Sequence, residues 1–254
     1  MREIEIAHEV ERVLAFIRDY TQKSGFTKLI LGLSGGIDSA LSAALAVKAI
    51  GRENVIGLML PGEDSHPDSL QDARLLAEHL GIRYEVHSIA PLVKAWFANS
   101  EPEADRLRIG NWKARCRMMV LYDLSAKYKA LVVGTSNRTE LLVGYFTQFG
   151  DGACAFEPIG HLYKTEVKQM AAFLGIPVKI IDKAPTADLW EGQTDEEEMG
   201  ITYPVLDDIL YALTEENLNI KASTNFKHPV ELYHKVQKMI YSSEYKRKAP
   251  PALD

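Results

Sequence analysis

The segment LGLSGGIDSA, residues 31–40, joins an apolar run to a helical pattern through two adjacent glycines. The apolar run predicts a buried strand over 28–34, and SALSAALAVKAIG predicts a helix over 39–51 that ends at a glycine. A glycine-rich turn between a strand and a helix can bind phosphate, because backbone N–H groups and the positive end of the helix face the anion. The segment therefore predicts a phosphate site at the carboxyl end of a parallel strand.

The rest of the chain repeats this alternation. Short runs rich in Val, Ile and Leu predict buried parallel strands, and amphipathic patterns between them predict helices. Such alternation is typical of an α/β fold, here a doubly wound (Rossmann-like) five-stranded parallel sheet with helices on both faces. No internal repeat or linker interrupts it, so we expect a single domain over residues 1–254. The further predicted strands are 54–61, 82–89, 130–137 and 178–185, and the further predicted helices are 66–81, 109–129 and 164–175.

The bulk composition argues against several classes of protein. Of 254 residues, 46% are hydrophobic and 25% are charged, which is ordinary for a globular protein. A net charge of -6 disfavours a nucleic-acid surface, and no apolar stretch approaches the ~20 residues of a membrane span. Cys116 and Cys154 are too few and too isolated for a disulfide framework or a cysteine-rich zinc site. We expect a cytoplasmic protein with no nucleic-acid or membrane partner.

Asp38 is the unusual member of the loop. Ser34 and Ser39 add hydroxyl donors, whereas a carboxylate beside phosphate is repulsive unless a divalent cation lies between them. Since Mg²⁺ binds one or two carboxylates together with phosphate oxygens, Asp38 is predicted to be a metal ligand. The loop lacks the lysine of the GxxxxGK[ST] motif, and its glycines do not fit the G-x-G-x-x-G spacing. A plain tight turn with a capping serine is the alternative.

Six motifs in register resemble those of one enzyme family. SGGIDS, residues 34–39, is similar to the pyrophosphate-binding loop of the N-type ATP pyrophosphatases, which cleave ATP between the α and β phosphates. Such a loop binds the departing pyrophosphate and need not activate a terminal phosphate, which accounts for the missing lysine. Together with five further stretches, the loop resembles the ammonia-dependent NAD synthetases of that superfamily. The further stretches are GNWKARCRM (110–118), LVVGTSNRTELLVGYFTQFGDG (131–152), EPIGHLYKTEV (157–167), KAPTADLW (183–190) and GQTDEEEMGITY (192–203).

The resemblance implies an ATP-dependent ligase. The carboxylate of nicotinic acid adenine dinucleotide (deamido-NAD) would attack the α-phosphorus of ATP, and pyrophosphate would leave into the loop. Ammonia would then convert the adenylated carboxylate into the amide of NAD, with release of AMP. Mg²⁺ is the implied cofactor, ATP is the co-substrate, and a homodimer is the implied assembly. Since 254 residues leave no room for a glutaminase domain, the expected nitrogen source is free ammonia or ammonia from a separate protein.

The resemblance also implies roles for individual residues. Asp38 and Glu140 match magnesium ligands, and Lys164 matches an ATP-binding position that could supply the charge the loop lacks. Asp151 matches a carboxylate that binds and helps to deprotonate ammonium. The matched ATP-binding residues are Gly32, Leu33, Ser34, Gly35, Gly36, Ile37, Asp38, Ser39, Thr135, Lys164 and Thr186, the catalytic residues are Ser34, Asp38, Asp151 and Lys164, and the substrate-binding residues are Arg115, Gln148, Tyr245 and Lys246.

Three positions depart from the pattern of many family members, all on the dinucleotide side of the site. Gln148 stands where a lysine is frequent, Ala155 stands where an aspartate is frequent, and Tyr245 begins a tail that often reads HKR. These departures leave open a related enzyme that amidates another carboxylate. A nucleotide-binding regulator without turnover is a second alternative.

Two further regions are interpreted from their composition. The loop over 185–204 and the basic tail over 244–254 are candidates for a lid that keeps water from the adenylate, although a solvated, disordered tail is equally compatible. On the helix over 109–129, Lys113 and Arg117 are interpreted as part of a polar face.

Overall fold

A parallel sheet forms the centre of the protein. The computed structural model describes residues 4–100, 103–186, 192 and 194–253. Within these residues, four strands pair in parallel, as the sequence predicts for the first four runs. In chain order, the strands are β1 (Lys28–Gly32), β2 (Val55–Met59), β3 (Arg83–Val86) and β4 (Ala130–Val132), and their spatial order in the sheet is β3–β2–β1–β4.

Helices cover both faces of this sheet. On β1, the side chains of Leu29 and Leu31 join one core cluster, whereas Ile30 between them joins another, because successive side chains of a strand point to opposite faces. The described helices are α1 (Ile6–Lys23), α2 (Ile37–Ile50), α3 (Pro67–Leu80), α4 (Ala90–Ser100), α5 (Arg106–Tyr128), α6 (Arg138–Val143), α7 (Lys164–Phe173), α8 (Val178–Ile181), α9 (Asp195–Met199), α10 (Tyr203–Thr214) and α11 (Val230–Ser242). The first cluster lies against α1, α2 and α7, and the second lies against α5.

The prediction of a fifth strand over residues 178–185 is wrong. Residues 178–181 form α8, which begins after Pro177 and buries Ile180 in the core cluster around α2 and α7. A short apolar run is compatible with either a strand or a buried helical turn, so its pattern cannot decide between them. The edge of the sheet beside β4 is instead paired by a single parallel bridge between Val133 and Phe156.

The fourth predicted strand is too long at its carboxyl end. β4 ends at Val132, and the chain then leaves the sheet to begin α6. Asn137 caps α6 by accepting a hydrogen bond from the Glu140 N–H at 3.0 Å, while the Glu140 side chain accepts one from the Asn137 N–H at 3.2 Å. This reciprocal capping box stabilises the helix start and fixes Glu140 at the carboxyl edge of the sheet.

A further core cluster supports α6 from the C-terminal side. It consists mainly of buried residues of α10 and α11, including Leu206, Leu210 and Val236. The predicted tail begins with a 3₁₀ helix, Glu244–Arg247, that lies against α6. Among the described residues, no helix is long and apolar enough to cross a membrane.

Candidate active site

A cavity of about 550 Å³ lies at the carboxyl ends of β1, β2 and β4, where an open parallel sheet binds its ligands. The phosphate loop forms one wall, and the starts of α6 and α7 form another. Most of the predicted site residues meet here, although they come from distant parts of the chain. The predicted residues that line the cavity are Gly32, Leu33, Ser34, Gly36, Ile37, Asp38, Ser39, Thr135, Glu140, Asp151, Lys164, Thr186 and Lys246.

The loop is shaped by hydrogen bonds among its own residues. The Ser34 hydroxyl accepts from the Gly36 N–H at 3.2 Å, and the Ser39 hydroxyl donates to the Gly36 carbonyl at 3.0 Å. Gly36 is the N-cap of α2 and has no side chain to cap the first N–H groups of that helix. These donors and the positive helix end can therefore serve an anion in the cavity.

Gly35 lies behind the loop, against α3. Its φ of +78° is in the left-handed region, and a Cβ atom at this position would collide with the carbonyl oxygen of Ser69. Glycine is thus required twice, by the backbone conformation and by the close approach of another backbone segment. This contact places the start of α3 next to the phosphate loop.

Asp38, Glu140 and Lys164 form a charged triad on the cavity wall. The Lys164 ammonium lies 2.5 Å from Asp38 Oδ2 and 3.2 Å from Glu140 Oε1. Asn137 Nδ2 donates to the other oxygen of Asp38 at 2.9 Å. The two predicted metal ligands therefore converge on one cation, and the predicted ATP-binding lysine supplies it.

The electrostatics of the triad follow from two carboxylates sharing one ammonium. Burial and then the neighbouring Asp38 carboxylate raise the pKa of Glu140 to about 8. Burial by itself lowers the pKa of Lys164, but the attraction of Asp38 and Glu140 outweighs burial and raises it. With both carboxylates ionised, the triad carries a net charge of −1, and a divalent cation would be attracted to it.

A second layer of hydrogen bonds fixes the helix starts that carry the triad. The Thr139 hydroxyl on α6 donates to Asp207 Oδ1 at 2.5 Å and accepts from the Lys164 N–H at 3.0 Å. Asp207, on α10, also accepts from the Thr165 N–H at 2.9 Å. Because Asp207 and Thr139 are fully buried, each group in this network depends on the others for its hydrogen bonds.

Thr139→Val is expected to destabilise the protein by about 1–3 kcal/mol, since it leaves the buried Asp207 carboxylate short of one donor and the Lys164 N–H without its acceptor. The free energy of unfolding from urea titration measures this loss. Thr27→Val, at an exposed position, is the matched control and should change stability by less than ~0.5 kcal/mol. Equal stability of the two variants would contradict the network.

Asp151 lies on another part of the cavity wall, in the turn TQFGDG. Its carboxylate accepts from the Thr147 N–H at 2.9 Å and is reachable from the cavity. Burial raises the pKa of Asp151, although the Thr147 hydrogen bond and the Lys246 charge oppose this rise. The position suits a carboxylate that accepts a proton from a cavity ligand.

Glu157 is a half-buried carboxyl group that the motif analysis does not single out. It accepts from the Ser136 N–H at 3.0 Å and from Cys154 Sγ at 3.3 Å, and it lies against Gly134. Burial raises the pKa of Glu157 to about 7. Glu157 thereby fixes the turn after β4, which presents Thr135 to the cavity.

Glu157→Gln is expected to flatten the pH dependence of stability. Because the native pKa exceeds the unfolded value, the contribution of this carboxyl is complete below about pH 4.5 and is lost as the pH rises through about 7. A rise from 4.5 to about 7 corresponds to at most ~3.5 kcal/mol. Urea titrations of wild type and variant at pH 5 and pH 8 measure the difference, and an identical pH dependence in both would contradict it.

The predicted substrate-binding residues divide into two groups. Lys246 lines the cavity and donates to the carbonyls of Gly144 at 2.8 Å and Phe146 at 2.9 Å. Arg115 donates to the Gln148 carbonyl at 3.4 Å, but neither side chain is part of the cavity lining. Tyr245 is 62% exposed and lies outside the lining as well.

The start of the basic tail is docked through Arg247, whereas residues 248–253 are exposed. Its guanidinium donates to the carbonyls of Leu141 and Leu142 near the end of α6, at 2.9 and 2.8 Å. A cation at a helix C-terminus satisfies carbonyl groups that lack partners within the helix. This anchoring holds Lys246 at the cavity.

The interpretation of Lys113 and Arg117 as part of a polar face of α5 is wrong. Lys113 is buried, and its ammonium lies 2.6 Å from both carboxylate oxygens of Asp64. Arg117 lines the cavity and donates to the Leu60 carbonyl at 3.0 Å. The helical pattern alone gives no signal for either contact, because Asp64 precedes Lys113 by 49 residues and Leu60 precedes Arg117 by 57.

The described part of the predicted loop over 185–204 contributes Thr186 and Asp195 to the cavity wall. Asp195 is buried and accepts hydrogen bonds from the hydroxyls of Tyr203 at 2.9 Å and Tyr145 at 3.2 Å. Residues 187–191 and 193 of this loop lie outside the described residues. The run DEEE by itself gives no signal for a buried acidic residue, since such runs are usually solvated.

The chain is similar to known proteins over nearly its full length. The NH(3)-dependent NAD(+) synthetase of Fusobacterium nucleatum is 49% identical over 94% of this chain and 92% of the relative. That of Methanocaldococcus jannaschii is 44% identical over 95% of each chain.

Solved structures give the same result. The NMN synthetase from Francisella tularensis has a TM-score of 0.89 at 34% identity, covering 99% of this chain and 100% of that one. The NH3-dependent NAD synthetase from Campylobacter jejuni has a TM-score of 0.84 at 34% identity, with the same coverage. The resemblance inferred from the motifs is confirmed. A family model described as NAD synthase matches residues 9–250, a range that includes the phosphate loop, the charged triad and the docked tail, and the chain therefore belongs to the NAD synthase family.

Proposed function

We propose that the chain makes NAD from deamido-NAD and ammonia by way of an adenylated carboxylate, with release of AMP and pyrophosphate. Membership of the NAD synthase family makes it a ligase, and ATP-dependent amidation of deamido-NAD is its reaction. The observation that carries the mechanistic part is the pairing of a lysine-free phosphate loop with the triad of Asp38, Glu140 and Lys164. This arrangement suits a departing pyrophosphate better than a transferred terminal phosphate.

The donor set fits Mg²⁺. Two carboxylates converge on one cation position beside the phosphate loop, and Mg²⁺ is held by one or two carboxylates together with substrate phosphates. Within the described residues, no cluster of three or more histidine, cysteine or acidic ligands competes with this position. When bound, Mg²⁺ would neutralise charge that develops on the phosphate oxygens. We propose Asp38 and Glu140 as its ligands.

The residues of the chain bind and orient the reactants. Ser34, Ser39 and the first N–H groups of α2 hold the β and γ phosphates, and Lys164, whose ammonium contacts Asp38, adds positive charge. Thr135 and Thr186 hold the rest of the nucleotide from the turn after β4 and from the loop after α8. This clamp presents the α-phosphorus to the attacking carboxylate, as in-line displacement requires.

Asp151 acts in the second step. An ammonium ion near its carboxylate is held by charge, and transfer of one proton to Asp151 leaves ammonia as the nucleophile. The raised pKa of Asp151 favours this transfer. Lys246, which reaches the cavity from the docked tail, and Arg115, Gln148 and Tyr245 beyond it are proposed to bind the acid dinucleotide.

Nicotinic acid mononucleotide is a second candidate substrate. One solved relative is described as an NMN synthetase, and its TM-score is 0.89. Arg115, Gln148 and Tyr245 lie outside the cavity lining, so a shorter acid could be held by the cavity alone. Both acids share the carboxylate and the chemistry at the triad.

The experiment supplies the purified chain with ATP, Mg²⁺, either acid nucleotide, and either ammonium or glutamine. AMP and the amide product are measured by chromatography. We expect AMP and NAD in equal amounts with deamido-NAD and ammonium, and no turnover with glutamine alone. A kcat/KM higher for the mononucleotide would transfer the assignment to that substrate, and equal turnover with glutamine would refute ammonia as the nitrogen source.

A homodimer, a single domain over residues 1–254 and a cytoplasmic location stay predictions. Sedimentation equilibrium tests the first, since a dimer of 28.4 kDa chains is readily distinguished from a monomer.

A further inference from the structure

Lys183 lies on the cavity wall beside the phosphate loop, outside the predicted site. Its ammonium is 3.3 Å from the Ser69 hydroxyl and 3.0 Å from Asp72 Oδ2, both on α3. Ser69 is the residue whose carbonyl group packs against Gly35 of the loop. One residue of α3 therefore contacts both the phosphate loop and Lys183, and this places the ammonium close to the loop.

The charges around Lys183 do not cancel. Asp72 is 1% exposed and pairs with two lysines, since the Lys179 ammonium lies 2.7 Å from Asp72 Oδ1. Burial alone would raise the pKa of Asp72, but the hydrogen bonds from Lys179 and Lys183 outweigh burial and lower it. The ionised carboxylate and two ammonium groups carry a net charge of +1. Lys179 is 56% exposed and does not line the cavity, whereas Lys183 is 22% exposed and does.

The phosphate loop contains no cationic side chain that could balance the negative charge of pyrophosphate. Pyrophosphate carries several negative charges, whereas the loop supplies hydroxyl and N–H donors and the carboxylate of Asp38. Lys164 is shared between Asp38 and Glu140, so part of its charge is already compensated. A lysine on the α3 side of the loop would add a charge-assisted contact, which is stronger than a hydrogen bond between neutral groups.

We propose that Lys183 binds the pyrophosphate leaving group directly, and that Asp72 is the positioning residue that holds its ammonium beside the loop. This inference rests on the proposed function, because it assigns a contact to the leaving group of that reaction. Lys183, which follows α8 in the chain, thus supplies the cation that the SGGIDS loop lacks. The same residue lies three positions before Thr186, which also lines the cavity.

Lys183→Met and Lys179→Met form a matched pair for the test. Each removes one ammonium group from the same buried carboxylate, but only the first removes one from the cavity. Isothermal titration with Mg²⁺-pyrophosphate gives the dissociation constant, and titration with AMP reports whether the nucleotide site is intact. Lys183→Gln is made in parallel in case the methionine variant does not fold.

We expect the Lys183 variants to bind pyrophosphate at least tenfold more weakly while binding AMP within threefold of wild type. Lys179→Met should bind both ligands within twofold of wild type. Equal pyrophosphate affinity in wild type and both Lys183 variants, or an equal loss in Lys179→Met, would overturn the assignment. If the wild type binds no pyrophosphate, the phosphate loop itself is misassigned, and the proposed function fails with it.

Discussion

Asp38→Asn is expected to lower kcat by about a thousandfold or more, with the protein still folded. Asparagine preserves the size of the side chain but removes the charge that, with Glu140, is proposed to hold Mg²⁺ against the phosphates. Loss of such a ligand removes ~4 kcal/mol or more of transition-state stabilisation, and each ~1.4 kcal/mol is a factor of ten in rate. Steady-state release of AMP from ATP, deamido-NAD and ammonium measures the effect.

The matched control is Asp19→Asn. Asp19 is an exposed aspartate on α1 whose partner is Lys23 on the same helix. This variant should keep kcat within twofold, since an exposed pair of this kind contributes little to stability and lies on a helix away from the cavity. If Asp38→Asn retained more than a tenth of wild-type turnover, Asp38 would not be a metal ligand in the reaction.

The second large effect is expected from Gly35→Ala. A methyl group at this position collides with the Ser69 carbonyl oxygen, and alanine at a φ of +78° is itself strained by about 1–2 kcal/mol. The loop can relieve the collision by moving away from α3, which would misplace its phosphate donors. We therefore expect kcat/KM for ATP to fall by about a hundredfold or more.

Gly175→Ala is the control that separates the effect of backbone strain from the effect of the steric collision. Gly175 has a φ of +73°, nearly the same as Gly35, but a Cβ atom there meets nothing within 4 Å. Gly175→Ala should lose stability in urea unfolding through strain alone, and Gly35→Ala should lose at least as much and should alone lose catalysis. An equal kcat/KM in the two variants would contradict the role of the contact between the loop and α3.

The sequence predicts the sheet and the phosphate loop because both depend on local signals. β1 and β2 are short buried runs, and SGGIDS follows the first of them directly. The prediction of a fifth strand is wrong because the run VKII carries no local signal that distinguishes a strand from the helical turn α8. Tertiary packing of Ile180 against α2 and α7 decides the outcome.

The triad is predictable for a different reason. Asp38, Glu140 and Lys164 are 126 residues apart at their extremes, and their charges alone would assign them to solvent. Motifs in register identify them, and the capping box with Asn137 then accounts for the position of Glu140 at the site. Lys183 begins one of these stretches, KAPTADLW, but the motif assigns it no role, because its contact with Asp72, 111 residues earlier, appears only in the folded protein.

The central claim is that a carboxylate oxygen attacks the α-phosphorus while pyrophosphate leaves into residues 34–39. The most direct measurement uses deamido-NAD labelled with ¹⁸O in both carboxylate oxygens, followed by mass spectrometry of the AMP formed with ammonium. Attack by the carboxylate transfers one labelled oxygen to each AMP and leaves the other in the amide of NAD. Unlabelled AMP, or ADP and orthophosphate in place of AMP and pyrophosphate, would contradict the account.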